Sequence, residues 1–186
     1  MANTPSNMMP LQTEAPDFTL WDTISDKIYS LQDLKGSQGT VIFFICNHCP
    51  FVKHVNKALV QLTNDYKEKG FGFMGISSND IENYPQDAPD KMKEHAKIES
   101  YNFPYLFDET QEVAKAYDAA CTPDFYVFDT NLKLQYRGQL DDSRPGNNIP
   151  VTGEDIRHAL DCILSGTPNS KVQKPSIGCN IKWFKE

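Results

Sequence analysis

The sequence predicts an α/β domain built on a central mixed β-sheet with helices on both faces, and three observations predict it. The runs "TVIFFI" (Thr40 to Ile45) and "FGFMGIS" (Phe71 to Ser77) are apolar without the alternation of a strand that has one wet face, so both are strands buried on two sides. Between them the apolar residues switch to three- and four-residue spacing, the mark of an amphipathic helix, which makes a strand–helix–strand unit with parallel strands. Further on, "DFYVFDTNLKLQYRG" places two apolar runs around Asp129-Thr130-Asn131 and predicts an antiparallel hairpin, so the sheet is mixed.

Residues 1–13 are polar, with Pro5 and Pro10, and predict a loose leader. The domain proper is expected over residues 14–166, with residues 167–186 as a tail packed on it. Phe18, Leu20 and Trp21 suggest a first short strand, "KIYSL" a second, and Leu31 to Leu34 a helical turn closed by Gly36. In the long helix that opens at Pro50, Val52, Val55, Leu59, Leu62 and Tyr66 share one face, Lys53, Asn56, Lys57, Gln61 and Lys67 fill the other, and Gly70 ends it. A loop, "NDIENYPQDAP", precedes a helix from Asp90 to Tyr101 and a shorter one in "ETQEVAKAYDA". The last helix is "TGEDIRHALDCILSG", with Thr152 as its cap, Asp155 completing a capping box, an apolar face of Ile156, Leu160, Ile163 and Leu164, and Gly166 as its stop.

A chain of 186 residues suits one buried core, and 39% hydrophobic with 11% aromatic residues is enough to build it. The net charge of −7, with no Lys/Arg-rich block, argues against nucleic acid and acidic membrane surfaces as partners. The N-terminus lacks the basic and apolar regions of a signal peptide, and no apolar run reaches the ~20 residues of a membrane span. The expected location is the cytoplasm. Five cysteines are an odd number for a disulfide framework, and in a reducing compartment closely spaced cysteines are more often catalytic or metal-binding than structural.

The pair that matters is in "ICNHCPF". Cys46 and Cys49 fall where a buried strand ends and a helix begins, and the free N–H groups and positive dipole end of that helix stabilise an anion there. A cysteine so placed has a depressed pKa, and the thiolate is its reactive form. Cys46, nearer the loop and solvent, is expected to attack, and Cys49, already helical beside Phe51 and Val52, to resolve. His48 and Asn47 lie between them, and a charged or hydrogen-bonding His48 would favour the dithiol form. Two other readings stay open: a pair of small packing residues, and half of a metal site, for which no second Cys/His pair follows at ligand spacing. His54 reads as an exposed helix residue and Cys162 as packing on the last helix.

The order "APDFTL", buried strand, "CNHCP", long helix, "GFMGISSND", "CTPDFYVFD" and "YRGQLDD", closed by "KPSIGCNIKWF", resembles the thioredoxin-like superfamily, in its branch related to peroxiredoxins (alkyl hydroperoxide reductase and thiol-specific antioxidant) and thiol-disulfide oxidoreductases. The resemblance implies a thioredoxin-like fold and a cis-proline facing the dithiol, which would be Pro123, with the backbone of Thr122 open to pair with a substrate strand. It implies an oxidoreductase acting on protein or small-molecule disulfides, with hydroperoxides as the alternative substrate and a separate reductant as partner, and no cofactor or metal. One departure stands out. The peroxiredoxin pattern Pro-X-X-X-Thr/Ser-X-X-Cys meets Gly39 and Phe43 when counted from Cys46, and Ile42 and Cys46 when counted from Cys49, so the hydroxyl that orients a peroxide is missing. Arg137 reads as a surface residue. Cys121, two residues before Pro123, and Cys179 in the tail are candidate secondary thiols, as a second pair or an electron relay.

Overall fold

The computed structural model describes residues 3–185. Along them run β1 (Asn3–Pro5), β2 (Thr19–Asp22), β3 (Lys27–Ser30), α1 (Leu31–Leu34), β4 (Gly39–Phe44), α2 (Pro50–Lys67), β5 (Phe71–Ser77), α3 (Pro89–Ile98), β6 (Tyr105–Phe107), α4 (Glu112–Ala116), β7 (Cys121–Thr122), β8 (Asp124–Asp129), β9 (Leu134–Gly138), α5 (Glu154–Ser165) and β10 (Ile177–Asn180). Seven strands form the central sheet in the order β3-β2-β6-β5-β4-β8-β9. Its middle strands β4, β5 and β6 are parallel, while β8, β9, β2 and β3 join antiparallel. The mixed sheet expected from the sequence is therefore present.

Strand β4 shows why the apolar runs do not alternate. Val41 and Phe43 enter one core with Val52, Val55 and Leu59 of α2, Met92 of α3 and Ile156 and Leu160 of α5. Ile42 and Phe44 enter the other with Leu31 of α1 and Ala114 of α4. Each successive side chain points to an opposite face, and helices cover both, so every position on β4 is buried.

Several expectations change. The leader is not loose over its described residues: β1 pairs with β10, and the amides of Gln12 and Ala15 donate to the carbonyls of Leu134 and Leu132. The rest of the expected leader, residues 1 and 2, lies outside the described residues. Strands β6, β7 and β10 were not expected. Gly153, not Thr152, caps α5, in a left-handed conformation with φ +70°. Asp141 fixes the entry, its carboxylate accepting the Thr152 and Gly153 amides at 2.7 and 2.6 Å, while the Thr152 hydroxyl accepts from the Glu154 amide at 3.3 Å and the Asp155 amide goes to the Leu140 carbonyl. Asp155 is drawn away by Gln139, which donates to it at 2.8 Å.

The tail packs on the domain as the middle strand of a second, three-stranded sheet, β1-β10-β7. Cys179 is the Cα partner of Thr122, and Asn180 of Cys121. Among the described residues, no helix is long and apolar enough to cross a membrane.

Candidate active site

Cys46 follows β4, Cys49 caps α2, and Pro50 opens the helix where the missing N–H costs nothing. Opposite them the Thr122–Pro123 peptide is cis. The Cys46 sulfur lies 3.5 Å from the Thr122 hydroxyl, and the Cys49 thiol donates to the Thr122 carbonyl at 3.2 Å. Cys46, Cys49, Thr122 and Pro123, distant in sequence, thus meet at one point.

The two sulfurs do not differ in the expected way. Cys46 is only 1% exposed and Cys49 0%, so the first is not the solvent-facing member, and Cys49 has an extended backbone, not a helical one. The contact between the two sulfurs also favours charge on the other one. The Cys46 thiol donates to Cys49 and brings it down to about 5 against the opposing effect of burial, with the Cys179 thiol as a further donor. Cys46 is pushed well up, first by that same contact, then by burial and by the negative Asp87. The pair thus loses a first proton more readily than a lone cysteine: the contact between the sulfurs favours charge on Cys49, while the Thr122 carbonyl, which accepts from the Cys49 thiol at 3.2 Å, favours its protonated form.

Asp87 organises the loop between the cysteines. Fully buried in a turn of 3-10 helix, it accepts hydrogen bonds from the Asn47 amide at 2.8 Å, His48 Nδ1 at 2.6 Å and Asn79 Nδ2 at 2.8 Å. Burial works against its charge, but the hydrogen bonds from His48 and Asn79 outweigh it and hold the carboxyl below its usual range. His48 therefore faces Asp87 and stacks on Tyr84, with ring centroids 5.8 Å apart. The Asn47 side chain donates to the Gln86 carbonyl and accepts from the Tyr105 hydroxyl. Asp87, Tyr84, Asn79 and Tyr105 went unnoticed in the sequence. Cys46, His48 and Asp87 offer three potential metal ligands within 4.8 Å of one another, but the His48–Asp87 hydrogen bond by itself accounts for two of the three being close.

The other candidates separate. Thr122 and Cys179 are cross-strand partners and share a face, which is the face of the dithiol. Cys121 points to the opposite face, where it contacts the Pro123 carbonyl at 3.6 Å, and burial raises its pKa. A Cys121–Cys179 pair is therefore disfavoured. Cys162 is buried on α5, 3.6 Å from His158, as packing. His54 is half-buried, not exposed, in a cleft beside Pro123 that Arg144 and Ile177 also line. Arg137 is not at the surface: with Asp124 it forms an ion pair at 3.1 Å in which both side chains are 0% exposed, and it stacks over Tyr126. Nor is the Thr122 backbone open to a substrate strand, because β10 of the same chain is paired with it.

A family model described as the AhpC/TSA family matches residues 11–137. The chain is similar over its whole length (98% of the other chain) to an uncharacterized conserved protein from Geobacillus kaustophilus, at 61% identity and a TM-score of 0.98. A hypothetical protein from Sinorhizobium meliloti is 44% identical with a TM-score of 0.95, over 98% of this chain and 100% of that one. The thioredoxin domain of a thiol-disulfide oxidoreductase from Bacteroides vulgatus, 19% identical, aligns over 70% of this chain and 89% of its own with a TM-score of 0.60, which is a likeness of fold. No curated protein matches the chain. The chain belongs to the AhpC/TSA family and has a thioredoxin-like fold.

Proposed function

We propose that this member of the AhpC/TSA family is a thiol-disulfide oxidoreductase whose redox group is the Cys46–Cys49 dithiol. The observation that carries this reading is the convergence of both sulfurs, at the N-terminus of α2, on the Thr122 hydroxyl and carbonyl beside the cis Thr122–Pro123 peptide. Cys49 is walled in by the Thr122 carbonyl and by Cys179, whereas Cys46 borders the loop of Asn47 and His48. Cys46 is therefore the sulfur that meets substrate.

As Cys46 approaches a substrate disulfide, its proton passes to Cys49 across their contact and the new thiolate attacks. One substrate sulfur leaves as a thiolate, and Cys46 holds the other as a mixed disulfide. Cys49 then gives its proton to that departing thiolate and attacks the Cys46 sulfur, closing the Cys46–Cys49 disulfide and releasing the second substrate sulfur as a thiolate, which takes a proton from water. A separate reductant returns the dithiol. His48 and Asn47 hold the loop through Asp87, and Thr122 lines the site. The cytoplasmic location suggested by the cysteine usage is part of the proposal.

The test is trapping. With a disulfide-bonded protein as substrate, Cys49→Ser should accumulate a mixed disulfide at Cys46 and Cys46→Ser should not turn over. Full reductase activity in Cys46→Ser would end this reading. A dithiol peroxidase, with a Cys46 sulfenic acid condensing onto Cys49, is the second reading, favoured by the Thr122 hydroxyl 3.5 Å from the Cys46 sulfur. Against it stand Phe43 at the usual hydroxyl position and an Arg137 committed to Asp124. Hydroperoxide consumption followed by stopped flow decides, and a rate no better than that of a free thiol removes it.

A further inference from the structure

We propose that β10 is a built-in substrate strand and that Cys179 is a third redox thiol, which takes Cys49 away from Cys46 by internal disulfide exchange. This rests on the dithiol reading above and goes beyond it. Strand β10 lies antiparallel on Cys121–Thr122, the edge beside a cis-proline where an incoming extended chain would add. The pairing continues through the Ile181 amide, which donates to the Ala120 carbonyl. The fit is close: a Cβ on Gly178 would collide with the Thr122 carbonyl, so at this position only glycine lets the strand lie this near.

That register fixes the chemistry. Cys179 is opposite Thr122 and on its dithiol face, while the Cys49 sulfur lies 3.2 Å from the Thr122 carbonyl, which sets Cys179 and Cys49 beside each other in one buried cluster. Cys49 therefore has a sulfur on each side, Cys46 on one and Cys179 on the other. The tail is clamped beyond the cysteine as well. The Lys182 amide donates to Asn79 at 2.9 Å, its carbonyl accepts from Gln111 at 2.8 Å, and the Phe184 amide donates to Gln111 at 2.9 Å. Ser176 fastens the other end, donating to the Pro123 carbonyl at 2.6 Å.

In the exchange step the Cys179 sulfur attacks the Cys49 sulfur of the Cys46–Cys49 disulfide. The S–S bond to Cys46 breaks, the bond between Cys49 and Cys179 forms, and the Cys179 proton ends on Cys46. One disulfide is consumed and one is made, so no outside oxidant or reductant is needed. Burial and charge on the neighbouring Cys49 raise the Cys179 pKa; once Cys49 is in a disulfide it carries no charge to oppose the Cys179 thiolate. The product leaves Cys46 as a free thiol beside the loop, its partner held by the tail.

The experiment is disulfide mapping by mass spectrometry on the full chain. Reduced protein is oxidised with one equivalent of diamide, quenched in acid, alkylated and digested. Wild type should yield both Cys46–Cys49 and Cys49–Cys179 links, and Cys46→Ser should yield the Cys49–Cys179 link within one molecule as its main product. Cys179→Ser should retain only Cys46–Cys49. If Cys46→Ser leaves Cys49 and Cys179 both alkylated, or joins Cys49 only to Cys121 or to a second molecule, while wild type still forms Cys46–Cys49, the inference is overturned and the dithiol reading stands. A wild type that forms no Cys46–Cys49 link overturns both.

Discussion

Replacing Asp87 by asparagine should make the protein less stable and its Cys46 more reactive. Asp87 accepts three hydrogen bonds, from Asn47, His48 and Asn79. The asparagine oxygen can keep the one from the Asn47 amide, but its NH2 then faces the donors on His48 and Asn79, so two are lost. Hydrogen bonds to a charged group are worth roughly 1.5–3 kcal/mol each. Relief of the buried charge offsets part of that loss, which leaves a net cost of about 2–4 kcal/mol. At roughly 2–4 °C per kcal/mol for a chain of this size, Tm should fall by about 4–16 °C. The sign of the pH dependence is fixed too: the Asp87 pKa is depressed below its usual 3.8, so its stabilisation is in place above that value and is lost as pH falls through the lower, folded-state pKa. The variant should lack this component of acid sensitivity. The same carboxylate opposes charge on Cys46, so removing it should move the alkylation profile of Cys46 to lower pH. The assay is iodoacetamide labelling against pH, read at the Cys46 peptide, beside thermal melts. Asn79→Ala is the control: it loses one hydrogen bond and leaves the charge, so it should melt earlier without shifting the profile. A Cys46 profile that shifts equally in both variants, or in neither, refutes the reasoning.

Acid titration of the reduced protein, followed by thiolate absorbance near 240 nm, should show a step near pH 5 that is lost in Cys49→Ser and moves upward in Cys179→Ser, which lacks that donor; a step that survives Cys49→Ser would place the anion elsewhere. Arg137→Met leaves Asp124 buried without its partner and should cost about 3–5 kcal/mol in chemical denaturation, with much of it restored by adding Asp124→Asn. A single-variant loss under about 1 kcal/mol would contradict the pairing. Gly178→Ala should lower stability by about 1–3 kcal/mol and open Cys49 to iodoacetamide, since the added methyl meets the Thr122 carbonyl; labelling as slow as in wild type would show that the tail does not cover that sulfur.

What the sequence makes legible here is what depends on neighbours in the chain. β4, α2, β5 and the β8–β9 hairpin are long enough for their periods to show, and Cys46, Cys49 and Pro50 can be placed because a strand stops and a helix starts around them. Strand β6 has three residues, Tyr105–Phe107, between a proline and an aspartate, too few to display a period. Strand β10 reads Ile-Gly-Cys-Asn and is extended only because β1 and β7 pair with it on either side. Arginine is rarely buried, so sequence alone favours a surface Arg137, yet the hairpin register sets it opposite Tyr126 on a covered face. The polarity of the dithiol was read from the helix end alone, which favours whichever sulfur is nearer the loop. The contact between the two sulfurs works the other way first, and two groups remote in sequence add to it: Asp87 on a proline-flanked turn, which disfavours charge on Cys46, and Cys179 on the tail, which favours it on Cys49. A helix terminus raises the stability of a thiolate without choosing between two cysteines three residues apart, and the choice falls to the groups that the fold brings against each sulfur.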